Sequence, residues 1–120
     1  MKGILVVAHG NREKETGAIF DTILSMVKVQ LPETTIEYAC LKYSDRTIEK
    51  GIEALAARGI TEITIVPYFL FVGKHLKVDL PYMVAQCAPK FPEIQITIGE
   101  VLGIDQRLAD ILVDRINNSG

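Results

Sequence analysis

Only two histidines occur in the sequence, His9 and His75. An imidazole is a common ligand for borderline divalent metals. Its pKa near ~6.5 also suits proton transfer at neutral pH. The pair can bind a transition metal, act as acid and base, or do both in turn, and spacing alone leaves these open. The two lie far apart in the chain, so only a fold can bring them together. Basic residues accompany them: Arg12, Lys14, Lys42, Arg46, Lys74 and Lys77. These form either an ordinary solvated rim or a binding site for a polyanionic small molecule. The apolar run Tyr68 to Val72 would supply a hydrophobic wall, a core contact or a subunit contact. Glu100 is the remaining nearby carboxylate.

The elements that must position these residues can be read from periodicity. Lys2 to Ala8 is a short, β-branched apolar run and reads as a buried strand. Glu13 to Gln30 reads as a helix, with Ile19, Phe20, Ile23, Met26 and Val27 at three- and four-residue spacing. Pro32 closes it. Thr35 to Leu41 is a second strand. Ser44 or Asp45 is expected to cap a helix over Thr47 to Arg58, with Ile48, Ile52, Leu55 and Ala56 inward and Gly59 just past its end. Glu62 to Pro67 is the third strand, and a third helix is expected from about Lys77 to Cys87. Glu93 to Ile98 alternates as an edge strand would. Asp105 to Asn117 is the last helix, with Leu108, Ile111, Leu112 and Ile116 on one face.

The order βαβαβαβα implies an α/β fold: a four-stranded parallel sheet with right-handed crossovers and flanking helices. Ligands of such sheets bind beyond the carboxyl ends of the strands. His9, Lys42 to Arg46, Tyr68 to His75 and Glu100 to Gly103 all fall there, so both histidines are expected at one sheet edge.

At 120 residues the chain is expected to be one domain, residues 1–120. Hydrophobic residues make up 48% and charged residues 23%, the balance of a globular protein rather than a disordered one. The net charge of −2 and the absence of Trp disfavour a nucleic-acid partner. Ile4 to Ala8 is too short for a signal-peptide core, and no run reaches the ~18 apolar residues of a membrane span. A cytoplasmic protein without a membrane partner is expected, with Cys40 and Cys87 as reduced thiols. Nucleotide and nucleophile motifs are missing. No GxGxxG follows the first strand, Gly73-Lys74 lacks the rest of a phosphate loop, and there is no G-x-S-x-G elbow. Ala8 stands where the arginine of an Arg-His-Gly phosphatase start would be.

Four segments in register nevertheless point to one family. Ala8-His9-Gly10-x-Arg12 is close to AHGSR, and Ser44-Asp45-Arg46-Thr47-Ile48 is similar to a Ser-Glu-Pro-Thr-Ile segment. Pro67-x-Phe69-Leu70-x-x-Gly73-x-His75-x-x-x-Asp79-x-Pro81 and Leu102-Gly103-x-Asp105 complete the pattern. Together these segments resemble the small CbiX-type sirohydrochlorin chelatases. The resemblance implies ATP-independent insertion of a divalent metal, Co²⁺ first and Fe²⁺ or Ni²⁺ next, into a tetrapyrrole bearing eight carboxylates, with no cofactor beyond that metal. It makes His9 and His75 the metal-binding and catalytic pair, with Gly10, Gly73, Asp79 and Pro81 supporting them. Arg12, Lys42, Ser44, Arg46, Phe69 and Lys74 become the expected substrate contacts. It also implies a homodimer, each copy matching half of a longer two-domain chelatase, with the cleft between copies. Lys42 stands where many relatives carry a glutamate, Asn11 replaces a serine, and Arg46 replaces a proline. The Lys42 difference keeps an alternative in play, a metal or tetrapyrrole carrier without turnover.

Overall fold

The computed structural model describes residues 1–10 and 14–119 of the chain, the side chains of 14–16 and of His75 excepted. Four strands, β1 (Lys2–Ala8), β2 (Thr35–Cys40), β3 (Glu62–Pro67) and β4 (Gln95–Ile98), form one parallel sheet in the order β2-β1-β3-β4. The register pairs Leu5 with Glu37 and Ile65, and Ile65 with Ile98. β4 lies at an edge, as its alternation predicts, and β2 forms the other. The helices are α1 (Lys14–Gln30), α2 (Ile48–Ala57), α3 (Leu80–Cys87) and α4 (Gln106–Asn117). The expected start of α1 at Glu13 lies outside the described residues.

Alternation along β1 sends Leu5 and Val7 to one face of the sheet, where both are fully buried. There they join Ile63 and Ile65 of β3, Ile48, Ile52 and Leu55 of α2, and Leu80 and Cys87 of α3. Gly51 lets α2 lie this close, because a Cβ there would come within 2.6 Å of Leu5 Cδ1. α1 covers part of the opposite face through Phe20 and Leu24, which are buried with Ile36. Ile19 and Met26, both counted in the apolar stripe of α1, face solvent.

Two further expectations need correction. Ser44 and Asp45 do not cap α2. The cap is Thr47, whose Oγ1 accepts from Lys50 N at 3.2 Å. Ser44 instead accepts from Arg46 N at 3.0 Å and closes its own turn. The apolar face of α4 does not pack onto the sheet either. None of its side chains is buried, and Ile111, Leu112 and Ile116 are all at least half exposed. The radius of gyration is 15.3 Å, against about 13.6 Å for a compact chain of this length.

Candidate functional site

β1 is a central strand, so the residue that leaves it stands between two neighbouring loops. That residue is His9. Leu41 N donates to Ala8 O and Lys42 N to His9 O, both at 3.0 Å, while Tyr68 N donates to Val7 O at 2.7 Å. The turn then needs glycine. Gly10 has φ +91°, and a Cβ there would collide with the Lys42 carbonyl oxygen. Nδ1 of half-buried His9 lies 2.9 Å from the Gly10 carbonyl oxygen. A carbonyl only accepts, so Nδ1 carries the proton, and a neutral ring then holds its lone pair on Nε2. A fixed tautomer of this kind orients a histidine for a metal or a proton.

His9 lines a cavity of about 410 Å³ with Tyr68, Phe69, Leu70, Phe71, Gly73 and Leu76. Gly73 and Leu76 flank His75 in sequence, so the backbone carrying the second histidine borders the cavity of the first. The side chain of His75 lies outside the described residues. The expected helix from Lys77 begins earlier, as a π-helical turn over His75–Asp79 that runs into α3. Leu76 N and Lys77 N both donate to Gly73 O. The physical reason is Pro81. It has no N–H to offer the Lys77 carbonyl four residues back, and its ring crowds that carbonyl. A widened turn bypasses both problems, and such turns recur at functional sites.

The remaining expected contacts fall in different places. Phe69 lies in the His9 cavity, and Leu102 N holds its carbonyl at 3.1 Å. Lys42 and Lys74 are exposed on the loops beside that cavity. Asp79 ends the π-helical turn, and Pro81 borders a separate groove beside α4 together with Glu100. Arg12 lies outside the described residues. Ser44 and Arg46 are not brought into the His9 cavity. The Arg46 guanidinium sits 4.0 Å over the Tyr38 ring and 3.8 Å from the Glu37 carboxylate, beside a small pocket of about 200 Å³.

Arg46 also belongs to an aromatic stack that sequence reasoning missed. Phe20 of α1 meets the Tyr38 ring edge-on at 5.2 Å and the Tyr68 ring at 5.3 Å. Three elements meet only in the folded chain, so no local motif signals this contact. It buttresses Tyr68, a wall of the His9 cavity. Burial pushes the Tyr38 hydroxyl pKa up, with Arg46 opposing and Asp21 adding to the rise. Burial also raises the Cys40 and Cys87 thiols, which are both free. Among the described residues, no group of three His, Cys, Asp or Glu side chains is placed to hold a metal ion. No helix among them is long and apolar enough to cross a membrane.

A four-stranded parallel α/β sheet with a histidine at the carboxyl end of its first strand defines a recognisable class of small α/β domains. Comparison with known proteins places the chain within it. The family model CbiX matches residues 3–119, and the chain belongs to the CbiX family. It is 35% identical over 119 residues to the sirohydrochlorin ferrochelatase of Priestia megaterium, covering 99% of this chain and 45% of that protein. It is 30% identical to the sirohydrochlorin cobaltochelatase of Sulfolobus acidocaldarius, covering 96% of this chain and 89% of that one. The structure of SirB from Bacillus subtilis with Fe³⁺ superposes with a TM-score of 0.91 at 30% identity, over 99% of this chain and 47% of SirB. The chain thus spans about half the length of some of its relatives and nearly all of others.

Proposed function

We propose that the chain is a sirohydrochlorin metal chelatase that inserts Co²⁺, or alternatively Fe²⁺ or Ni²⁺, without ATP. The observation that carries this reading is His9 held as the Nδ1–H tautomer at the mouth of a cavity bordered by the backbone of His75. Insertion exchanges two pyrrole N–H protons for one M²⁺, so the site must deliver a metal and take up two protons. A neutral imidazole does either, because its lone pair binds M²⁺ or H⁺. His9 and His75 share these two duties. The loop Tyr68 to Phe71, from which Phe71 is 82% exposed, offers its apolar side to the flat macrocycle. Arg12, Lys42 and Lys74 receive the peripheral carboxylates. Gly10, Gly73, Asp79 and Pro81 set the backbone that presents the histidines. Relatives named as both ferrochelatases and cobaltochelatases support the reaction. Imidazole donors do not select among late divalent metals, since affinity follows the general series. Two copies assemble with their clefts facing, each supplying its own histidines.

The test is the absorbance change of sirohydrochlorin with Co²⁺, Ni²⁺ or anaerobic Fe²⁺, with protein far below substrate. Multiple turnovers with a raised rate are expected. A spectral shift that saturates at one equivalent without acceleration would overturn the reading in favour of a carrier. Restoring glutamate by Lys42→Glu would then be the next experiment.

A further inference from the structure

We propose that Phe20, backed by Tyr38 and Arg46, is a positioning residue that fixes the Tyr68 ring as one wall of the seat for a flat apolar ligand beside His9. The proposal rests on the chelatase reading for the identity of that ligand, a tetrapyrrole. Tyr38 stands on β2 and Tyr68 directly follows β3, the two strands that flank β1. The register sets Tyr38 and Val66 on either side of Val6. Tyr68 lies just beyond Val66 on the same face of the sheet, by the alternation of a strand. Phe20 is buried and touches both rings, its centroid 5.2 Å from that of Tyr38 and 5.3 Å from that of Tyr68. Its ring therefore bridges the two neighbours of the strand that delivers His9. The Arg46 guanidinium closes the far end of this row, 4.0 Å over the Tyr38 ring.

The row does more than pack α1. Among the described side chains of that helix only Phe20 and Leu24 are buried. Leu24 supplies burial alone, whereas Phe20 reaches the site. Tyr68 touches Phe20 and also lines the His9 cavity with Phe69, Leu70 and Phe71. It is 37% exposed, against 52% for Leu70 and 82% for Phe71. A tyrosine opening so exposed a loop would sample several rotamers if nothing met its ring. Edge-to-face and tilted ring pairs attract beyond the area they bury, and a guanidinium over an aromatic face adds to the hold. A ring already held in place lowers the ordering entropy that binding would otherwise cost. The stack thus acts on affinity for the macrocycle rather than on the exchange of protons for metal. It also gives Arg46 a role from outside the His9 cavity, since its guanidinium is engaged by Tyr38 and Glu37.

The chain has four tyrosines and no tryptophan, so quenching of tyrosine emission by metal-free sirohydrochlorin reads binding directly. Phe20→Leu keeps an apolar side chain under α1 and removes both ring contacts. It should weaken binding by roughly tenfold and raise KM for sirohydrochlorin to match, with kcat within about twofold. Leu24→Ala should lower the melting temperature yet leave affinity within about twofold. Arg46→Met changes a partly exposed side chain and should weaken binding by about threefold. Adding it to Phe20→Leu should change little further, because the row then no longer reaches Tyr68. Unchanged affinity in both Phe20→Leu and Arg46→Met, or an equal loss in Leu24→Ala, would overturn the proposal while leaving the chelatase reading standing. Effects that multiply in the double variant would overturn the shared route through Tyr68. A wild type that fails to bind sirohydrochlorin would overturn the chelatase reading and the tetrapyrrole seat together.

Discussion

α2 and α4 are similar in sequence pattern and opposite in fate. Both are amphipathic, and both start at a side-chain cap, Thr47 for α2 and Asp105 for α4. α2 buries Ile48, Gly51, Ile52 and Leu55, whereas α4 buries nothing. Periodicity identifies a face that must leave water, but it does not say which surface will receive it. For α2 the receiver is β1 of the same chain, made accessible by Gly51. For α4 no part of its own sheet takes that role.

The largest expected effect falls between these two regions. His9 follows β1, whose Leu5 and Val7 pack against α2, and His75 stands on the turn bordering the groove beside α4. His9→Ala and His75→Ala should each lower the rate of metal insertion by about 100-fold or more, with melting temperature nearly unchanged. A large drop in melting temperature for either would make that histidine structural. Next is Ile52→Ala, which removes a fully buried side chain of α2. It should cost about 2–5 kcal/mol in urea denaturation followed by tyrosine fluorescence. Ile116→Ala on α4, measured where the chain is monomeric, should stay within about 0.5 kcal/mol. Equal losses at the two positions would erase the contrast between the helices. Thr47→Ala removes the α2 cap and should cost about 1 kcal/mol.

The smallest effect is a pH dependence in α4. Hydrogen bonds from the Arg107 side chain and backbone hold the Asp105 carboxyl well below the usual carboxylate range. A lowered folded-state pKa stabilises the folded form above the ordinary carboxylate value, and that stabilisation is lost as pH falls through the lowered one. The helical signal of α4 should therefore persist through mild acid and weaken only at lower pH. Asp105→Asn should flatten this dependence, and an unchanged acid profile would show that the cap contributes nothing.

Much of this was legible in the sequence because it is local. The four strands, their order along the chain and the inward face of α2 follow from runs and spacings of a few residues. His9 and Gly10 could be placed at a strand end because β1 is so plainly apolar and stops at Ala8. What was illegible depends on contacts between distant segments. Arg46 looked like a rim cation until the fold set Tyr38 and Glu37 beside it. Tyr68 gains its buttress from Phe20, nearly fifty positions away. The widened turn at His75 had a local cause in Pro81, and that signal could have been read. The solvation of α4 had none, since its pattern matches that of a packed helix.

The widened turn also makes the position of His75 a matter of counting. A π-helical turn accommodates one residue more than an α-helical turn needs. Deleting one residue between Leu76 and Asp79 would let the segment relax into ordinary helix. Each residue of an α-helix advances about 100° around the axis, so a deletion inside α3, where no extra residue is held, would demand that rotation, whereas here the wide turn absorbs the loss. The sheet, the buried face of α2 and His9 would be untouched, and the backbone of the second histidine would keep nearly its direction. In this fold the turn that carries His75 tolerates a change of length that an ordinary helix would not.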